Sequence, residues 1–217
     1  MILGLLFQFS PFTCPGCGEA SSRVICKICL SSMRKNNQLI APQSQGILGI
    51  FPIFISYSTT HPILTFWKDH GGEELKRILF SPSSELIQNL KEKQFDLIIP
   101  IPQHEERSLK RGHASAFEVA KLFSTVLSVP IQTDFLRLKK SQTNQMKQAN
   151  LNSWERKHSE NPFESAAFEA KKILIVDDFI TSGSTLDKAA HCLEENNPGL
   201  QIHAASLGWK PKRILRN

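Results

Sequence analysis

Two neighbouring carboxylates followed by a cluster of hydroxyls are the part of this sequence best equipped for chemistry. The stretch KKILIVDDFITSGSTL, residues 171–186, carries Asp177 and Asp178 after the apolar run Ile173–Val176, and then Thr181-Ser182-Gly183-Ser184-Thr185. A short β-branched run of this kind fits a strand buried on both faces, ended here by the acidic pair. Helical spacing resumes over Leu186–Leu193. The hydroxyls therefore fall at a helix N-terminus, where free backbone N–H groups and the positive end of the helix dipole suit a dianionic phosphate. Gly183 lowers the steric cost of the tight turn. The carboxylates would repel a phosphate and fit ribose hydroxyls or a bound Mg²⁺ instead, so pair and loop hold opposite ends of one sugar phosphate. A plain strand-to-helix turn would explain one or two capping hydroxyls, but not four beside two carboxylates.

A second cluster lies near the start. Cys14-Pro15-Gly16-Cys17 and Cys26-Lys27-Ile28-Cys29 are two C-x-x-C knuckles separated by eight residues. Four thiolates at this spacing can hold one structural Zn²⁺ in a tetrahedron, with Gly16 and Gly18 easing the turn. The competing readings are disulfides or a redox C-x-x-C; the second does not explain the other pair. Such a knuckle is expected to unfold on chelation and to spare the rest of the chain. Cys192 reads as buried packing.

These groups need a frame. With 217 residues, 41% of them hydrophobic, the chain can bury one core and spare a small appendage. Strands are expected over Phe51–Tyr57, Phe95–Ile101 and, less regularly, Ile131–Leu138, with Pro100-Ile101-Pro102 forcing an extended exit. Gln201–Leu207 alternates like an edge strand. Ile63–Lys68 leads to a Gly71-Gly72 turn. Glu73–Phe80, Ser84–Lys93 and Ala114–Leu127 carry helical spacing, the second capped by Ser83 or Ser84. Ser31–Ile47 is polar and reads as a linker. Strands near 95, 173 and 201 alternating with helices argue a parallel α/β sheet with its ligand across the strand C-terminal ends. The opening MILGLLFQFSPF is twelve residues long and lacks a basic flank, too short to span a bilayer. A cytoplasmic protein is expected, with contact at the inner face of the cytoplasmic membrane as its furthest membrane association. The net charge of +6 leaves an anionic partner and an ordinary solvated basic surface equally open.

The thirteen ordered positions from Ile173 to Thr185 resemble the phosphoribosyl-pyrophosphate (PRPP) motif of type I phosphoribosyltransferases, and the flanking chain resembles the ComF-like, competence-associated branch. By that resemblance Asp177, Asp178, Phe179, Ile180, Thr181, Ser182, Gly183, Ser184 and Thr185 bind PRPP. The branch carries a Lys-aromatic-x-Gly signature. Here Lys68 matches its lysine, with the aromatic Trp67 before rather than after it, so Lys68 is either a pyrophosphate contact or an exposed lysine beside a turn. Pro100-Ile101-Pro102-Gln103-His104, six residues, then Arg111-Gly112 is similar to the family's pyrophosphate loop and hood. Gln103, His104, Arg107 and Arg111 are the candidates there, since a guanidinium forks onto two oxygens. Glu105 and Glu106 stand where relatives are often basic, and a solvated loop is the plainer alternative. Arg137, Gln145, Arg156 and Asn161-Pro162-Phe163 resemble the nucleobase-side pattern with altered spacing, and no roles are carried over to them.

The resemblance implies a type I phosphoribosyltransferase-like parallel sheet flanked by helices over residues 46–217, behind a four-cysteine zinc module and linker over residues 1–45. It implies structural Zn²⁺ and Mg²⁺ with PRPP. Purine-using relatives place an Asp proton acceptor where this chain has Thr181, which cannot act as a base near neutral pH. Two functions follow. One is a PRPP-binding protein of natural transformation that handles single-stranded DNA and meets DNA-uptake or recombination proteins. The other is an active phosphoribosyltransferase of nucleotide salvage on an unidentified base. Basic stretches at 139–157 and 210–216, with Trp154 and Trp209, are where single-stranded DNA is expected to touch.

Overall fold

The apolar runs pair in an order that puts the latest of the described strands in the middle of the sheet. In this computed structural model, which describes residues 12–36, 39–40, 46–55, 60–139 and 160–210, the main sheet has five strands. In spatial order they are β3 (Arg34–Lys35), β4 (Ile47–Ile55), β9 (Gln201–Trp209), β8 (Lys172–Ile180) and β5 (Leu97–Pro100). The last four run parallel, and β3 joins β4 antiparallel through Arg34↔Ile55 and Lys35↔Phe54. Parallel strands need crossovers, and helices supply them. These are α2 (Thr60–His70), α3 (Glu73–Leu79), α4 (Ser84–Lys91), α5 (Glu105–Arg111), α6 (Ser115–Leu127) and α7 (Ser184–Asn196). Ser83 caps α4, accepting from Leu86 N–H at 3.1 Å.

Strand alternation sends successive side chains to opposite faces, and the two faces are covered unequally. Phe51, Ile53, Ile98, Leu174, Val176 and Leu207 lie in one cluster with Leu64, Trp67, Leu79, Leu90 and Phe123 from α2, α3, α4 and α6. Ile99, Ile173, Ile175, Ile202 and Ala204 lie in the other with Leu186, Ala189, Ala190 and Leu193 from α7. A small antiparallel pair, β6 (Leu136–Leu138) and β7 (Phe163–Ser165), completes that second side through Leu136 and Phe163. Each large side chain so buried contributes about 1.5–3 kcal/mol.

Several elements differ from the sequence reading. Gln201–Leu207 is no edge: β9 lies between β4 and β8, and what looks like polar alternation is two buried polar side chains. His203 is stacked on Phe51 and set edge-on to Phe95, with ring centroids 6.1 and 5.4 Å away, and Ser206 donates its hydroxyl to the Gly208 carbonyl at 3.0 Å. The segment read as a linker contains the end of α1 (Lys27–Ser32) and the edge strand β3. β8 does not stop at Val176; Asp177↔Ser206, Phe179↔Gly208 and Ile180↔Trp209 continue the ladder, so the acidic pair sits within the strand's last turn of pleat. Within the segment Gln103–Gly112, read as a loop, Glu105–Arg111 form the helix α5, ended by Gly112 in the left-handed conformation. Of Ile131–Leu138 only β6 is a strand, and Ile131 makes a single parallel bridge to Ile98.

Candidate functional site

At the C-terminal end of β8 the chain turns sharply into α7. Gly183 occupies that turn at φ 80°, ψ −8°, a left-handed conformation that a residue with a Cβ resists. Its carbonyl accepts from Asp187 N–H at 2.9 Å, and the hydroxyls of Ser182 and Ser184 lie 3.0 Å apart. Thr181 and Thr185 are exposed, Ser182 half-buried and Ser184 buried. Hydroxyls and first-turn amides thus gather at one helix N-terminus, the arrangement an anion requires. Phe179 packs on His61, with ring centroids 5.1 Å apart, and Ile180 is buried, so these two motif residues hold the turn to the sheet.

The two carboxylates are not equivalent. Asp177 is half-buried, and one of its oxygens accepts from the Asp178 N–H at 2.8 Å. Burial, with the Asp178 charge beside it, pushes its carboxyl up to about 7. Asp178 is 2% exposed. Its Oδ1 accepts from Lys68 Nζ at 2.6 Å, and its Oδ2 from Gln103 Nε2 at 2.9 Å and from the Ser115 hydroxyl. Gln103 Nε2 also lies 3.0 Å from Ser115 Oγ. Lys68 and Gln103 thus reach the site the sequence assigned them to, but on a carboxylate. Ser115 was not foreseen; its one signal is a polar residue between Ala114 and Ala116 at a helix start, three residues after the Gly112 turn that ends α5.

The remaining candidates are spread more widely. Arg111, in the last turn of α5, pairs with Asp69 of α2 at 3.2 Å. His104 is the N-cap position of α5. The side chain of Arg107, Gln145, Trp154, Arg156 and the basic tail beyond Lys210 lie outside the described residues, as does MILGLLFQFSP. Arg137 pairs with Asp134 at 2.9 Å on the surface. Trp209 packs partly buried against the α7-side cluster.

The four cysteines meet in space. Between β1 (Phe12–Thr13), β2 (Ala20–Ser21) and α1, their sulfurs all lie within 4.8 Å of one another. Cys17 Sγ and Cys26 Sγ are 3.8 Å apart, the edge of a tetrahedron built on bonds of about 2.3 Å to zinc. Backbone N–H groups of Cys26 and Cys29 point at Cys14 Sγ and Cys26 Sγ, each at 3.4 Å. Although burial pushes Cys14 up, N–H donors from Cys26, Gly16 and Cys17 bring its thiol down to about 6; burial pushes Cys29 up. A Cβ on Gly16 would stand 2.8 Å from Cys29 Sγ, so the close approach of the knuckle requires glycine. The donor set and spacing fit a tetrahedral metal.

A parallel sheet whose strand end carries an acidic pair, a hydroxyl-rich left-handed turn and a helix N-terminus defines a phosphoribosyltransferase-type protein. The chain matches the phosphoribosyl transferase domain family over residues 83–216, more than half its length, and belongs to it. The resemblance to the ComF-like branch stands as well. The competence protein ComFC of Bacillus subtilis (strain 168) is 26% identical over 198 residues, covering 89% of this chain and 76% of that protein. Among solved structures, a purine phosphoribosyltransferase from Pyrococcus horikoshii Ot3 is 17% identical, covering 58% of this chain and 68% of that one, at a TM-score of 0.36. An orotate phosphoribosyltransferase from Aeropyrum pernix is 12% identical, covering 83% and 89%, also at 0.36.

Proposed function

We propose that this chain binds PRPP with Mg²⁺ at the end of β8 and acts in natural transformation, handling single-stranded DNA during uptake. The observation that carries the PRPP reading is the Gly183 turn, which gathers the hydroxyls of residues 181–185 and the α7 N-terminus directly after the half-buried Asp177. The turn holds the 5′-phosphate, and Asp177 faces ribose hydroxyls or the metal. When bound, Mg²⁺ neutralises the pyrophosphate charge. Binding rather than base transfer is favoured because Thr181, exposed where purine-using relatives place an Asp, cannot take a proton from a nucleobase near neutral pH. The DNA-uptake role rests on similarity to a protein named for competence and on the net charge of +6. Contact with uptake or recombination proteins belongs to the same proposal.

Cys14, Cys17, Cys26 and Cys29 would hold one structural zinc, in a module of residues 1–45 that lends β3 to the sheet of the 46–217 domain. Among the described residues no helix is long and apolar enough to cross a membrane; peripheral contact of the protein with the inner membrane face is part of the proposal. Titration calorimetry of Mg-PRPP into the full chain tests the central reading. Asp177→Asn is expected to weaken binding at least tenfold, through loss of charged hydrogen bonds of about 1.5–3 kcal/mol each. Wild-type affinity in that variant would sink it.

A further inference from the structure

Helix α5 has little of its own chain to lie on. It is seven residues long, well short of the roughly 12 at which a helix begins to hold by itself in water, and none of its described side chains is buried. Its ion pair, Arg111 with Asp69, has a partner 46% exposed and adds little. At about 100° per residue, Glu105 and Leu109 share one stripe and Glu106 and Lys110 the next. All four are exposed, Leu109 by 73%. Ser108, the residue before Leu109, lines a cavity of about 370 Å³ together with Pro100 and Pro102 after β5, Phe117 of α6 and Leu136 of β6. β5 is the end strand of the sheet, yet Pro100 and Pro102 carry no N–H, so an added strand finds no donors along this edge. What the cavity admits is an apolar side chain.

An exposed leucine and an apolar cavity thus stand side by side on one surface, which is what a twofold contact between identical chains requires, since each copy must give what it takes. The charge order of α5 sets the direction. Glu105 and Glu106 open the helix and Lys110 lies in its last turn, so two copies laid antiparallel set each Glu106 against the other's Lys110, whereas a parallel pair would oppose like charges. We propose that α5 and the cavity beside it form a self-association face, at which each copy's Leu109 enters the other's cavity and Glu106 pairs with Lys110 across the twofold axis. Gln103, which also lines the cavity, donates to Asp178 at 2.9 Å, so the contact lies against the wall of the candidate site. Self-association of this kind needs no ligand, and it stands or falls apart from the PRPP reading above.

The test is sedimentation velocity of the full chain over a concentration series. The wild type is expected to pass from monomer to dimer as concentration rises. Leu109→Asp is expected to weaken association at least about tenfold while keeping the melting temperature of the monomer, because the side chain it replaces is exposed. Glu106→Lys and Lys110→Glu, each of which sets two like-charge pairs across the axis, are each expected to weaken it about tenfold. An equimolar mixture of those two variants is expected to regain wild-type association, since every reversed charge then meets its opposite on the other copy. Pairing within one chain cannot produce that rescue, because neither variant carries both reversals. A wild type that sediments as a monomer at every concentration leaves the cavity to a small apolar ligand or another protein and overturns the proposal. So does a dimer that Leu109→Asp and both charge variants leave intact, which uses another face, and so does a mixture no better associated than its components.

Discussion

Gly183 and His203 show how much hangs on single side chains. A Cβ at φ 80° costs about 1–2 kcal/mol, so Gly183→Ala is expected to lower stability by that amount and to turn the loop amides away from a phosphate. Thermal melts and ribose 5-phosphate titration of the same variant check both effects. His203 is 5% exposed, and burial, with Lys93 and Lys172 adding repulsion, holds its imidazole down to about 4. Unfolded, it takes its proton near the usual value of about 6.5, so between those values the unfolded chain binds more protons. Stability is therefore whole above about pH 6.5 and falls by about 3 kcal/mol as pH drops to about 4. His203→Leu, measured by melts at pH 7 and pH 5, is expected to flatten that fall. The residues that were legible in the sequence are those whose chemistry is local: Asp177, the hydroxyls and Gly183 sit within nine residues of one another. The partners of Asp178 lie 110, 75 and 63 residues away, and no short pattern carries such contacts.

Helix α2 brings Lys68 to the site, and one glycine seats that helix. A Cβ on Gly208 of β9 would stand 2.3 Å from Leu64 Cδ1 and 2.8 Å from the Phe179 ring, so α2 lies against bare backbone there. Gly208→Ala is expected to destabilise by about 1–3 kcal/mol, lowering the melting temperature on the order of 5 °C. It should also disturb the Lys68–Asp178 ion pair, because the displaced helix carries Lys68, and titration of the variant with Mg-PRPP reads whether binding weakens with it. Elements with strong periodicity, α6 and the buried strands, were legible for the reason that their burial is written in side-chain spacing. The helix α5 was not, since Gln103–Gly112 carries Glu105, Glu106, Arg107, Lys110 and Arg111 with hardly an apolar position to mark a period. Nor was the interior place of β9, because sheet order is decided by crossovers rather than by any strand's own residues.

In the whole molecule, the cysteine knuckle is continuous with the main core. Cys14, Ile25 and Cys29 share a buried cluster with Ile63 and Trp67 of α2, and we propose on that ground that the knuckle unfolds with the rest of the chain rather than alone. Chelation is expected to lower the melting temperature of the entire chain, and metal analysis to find one zinc per chain; an unchanged melt would show that the knuckle is independent. Single-stranded DNA binding, measured by anisotropy across a salt series, is expected to give a slope of log K against log salt of about −2 to −3 for three or four phosphate contacts. A slope near zero would leave the basic surface as ordinary solvation. The strand order has a further consequence, for synthesis. β4 pairs with β9 across some 150 residues, so during translation the helices α2, α3 and α4 emerge with their apolar faces and must wait for Gln201–Trp209 before the sheet can close around them. Until then β4 and β8 are unpaired along their facing edges, and the nascent chain is a client for whatever shields exposed strands at the ribosome.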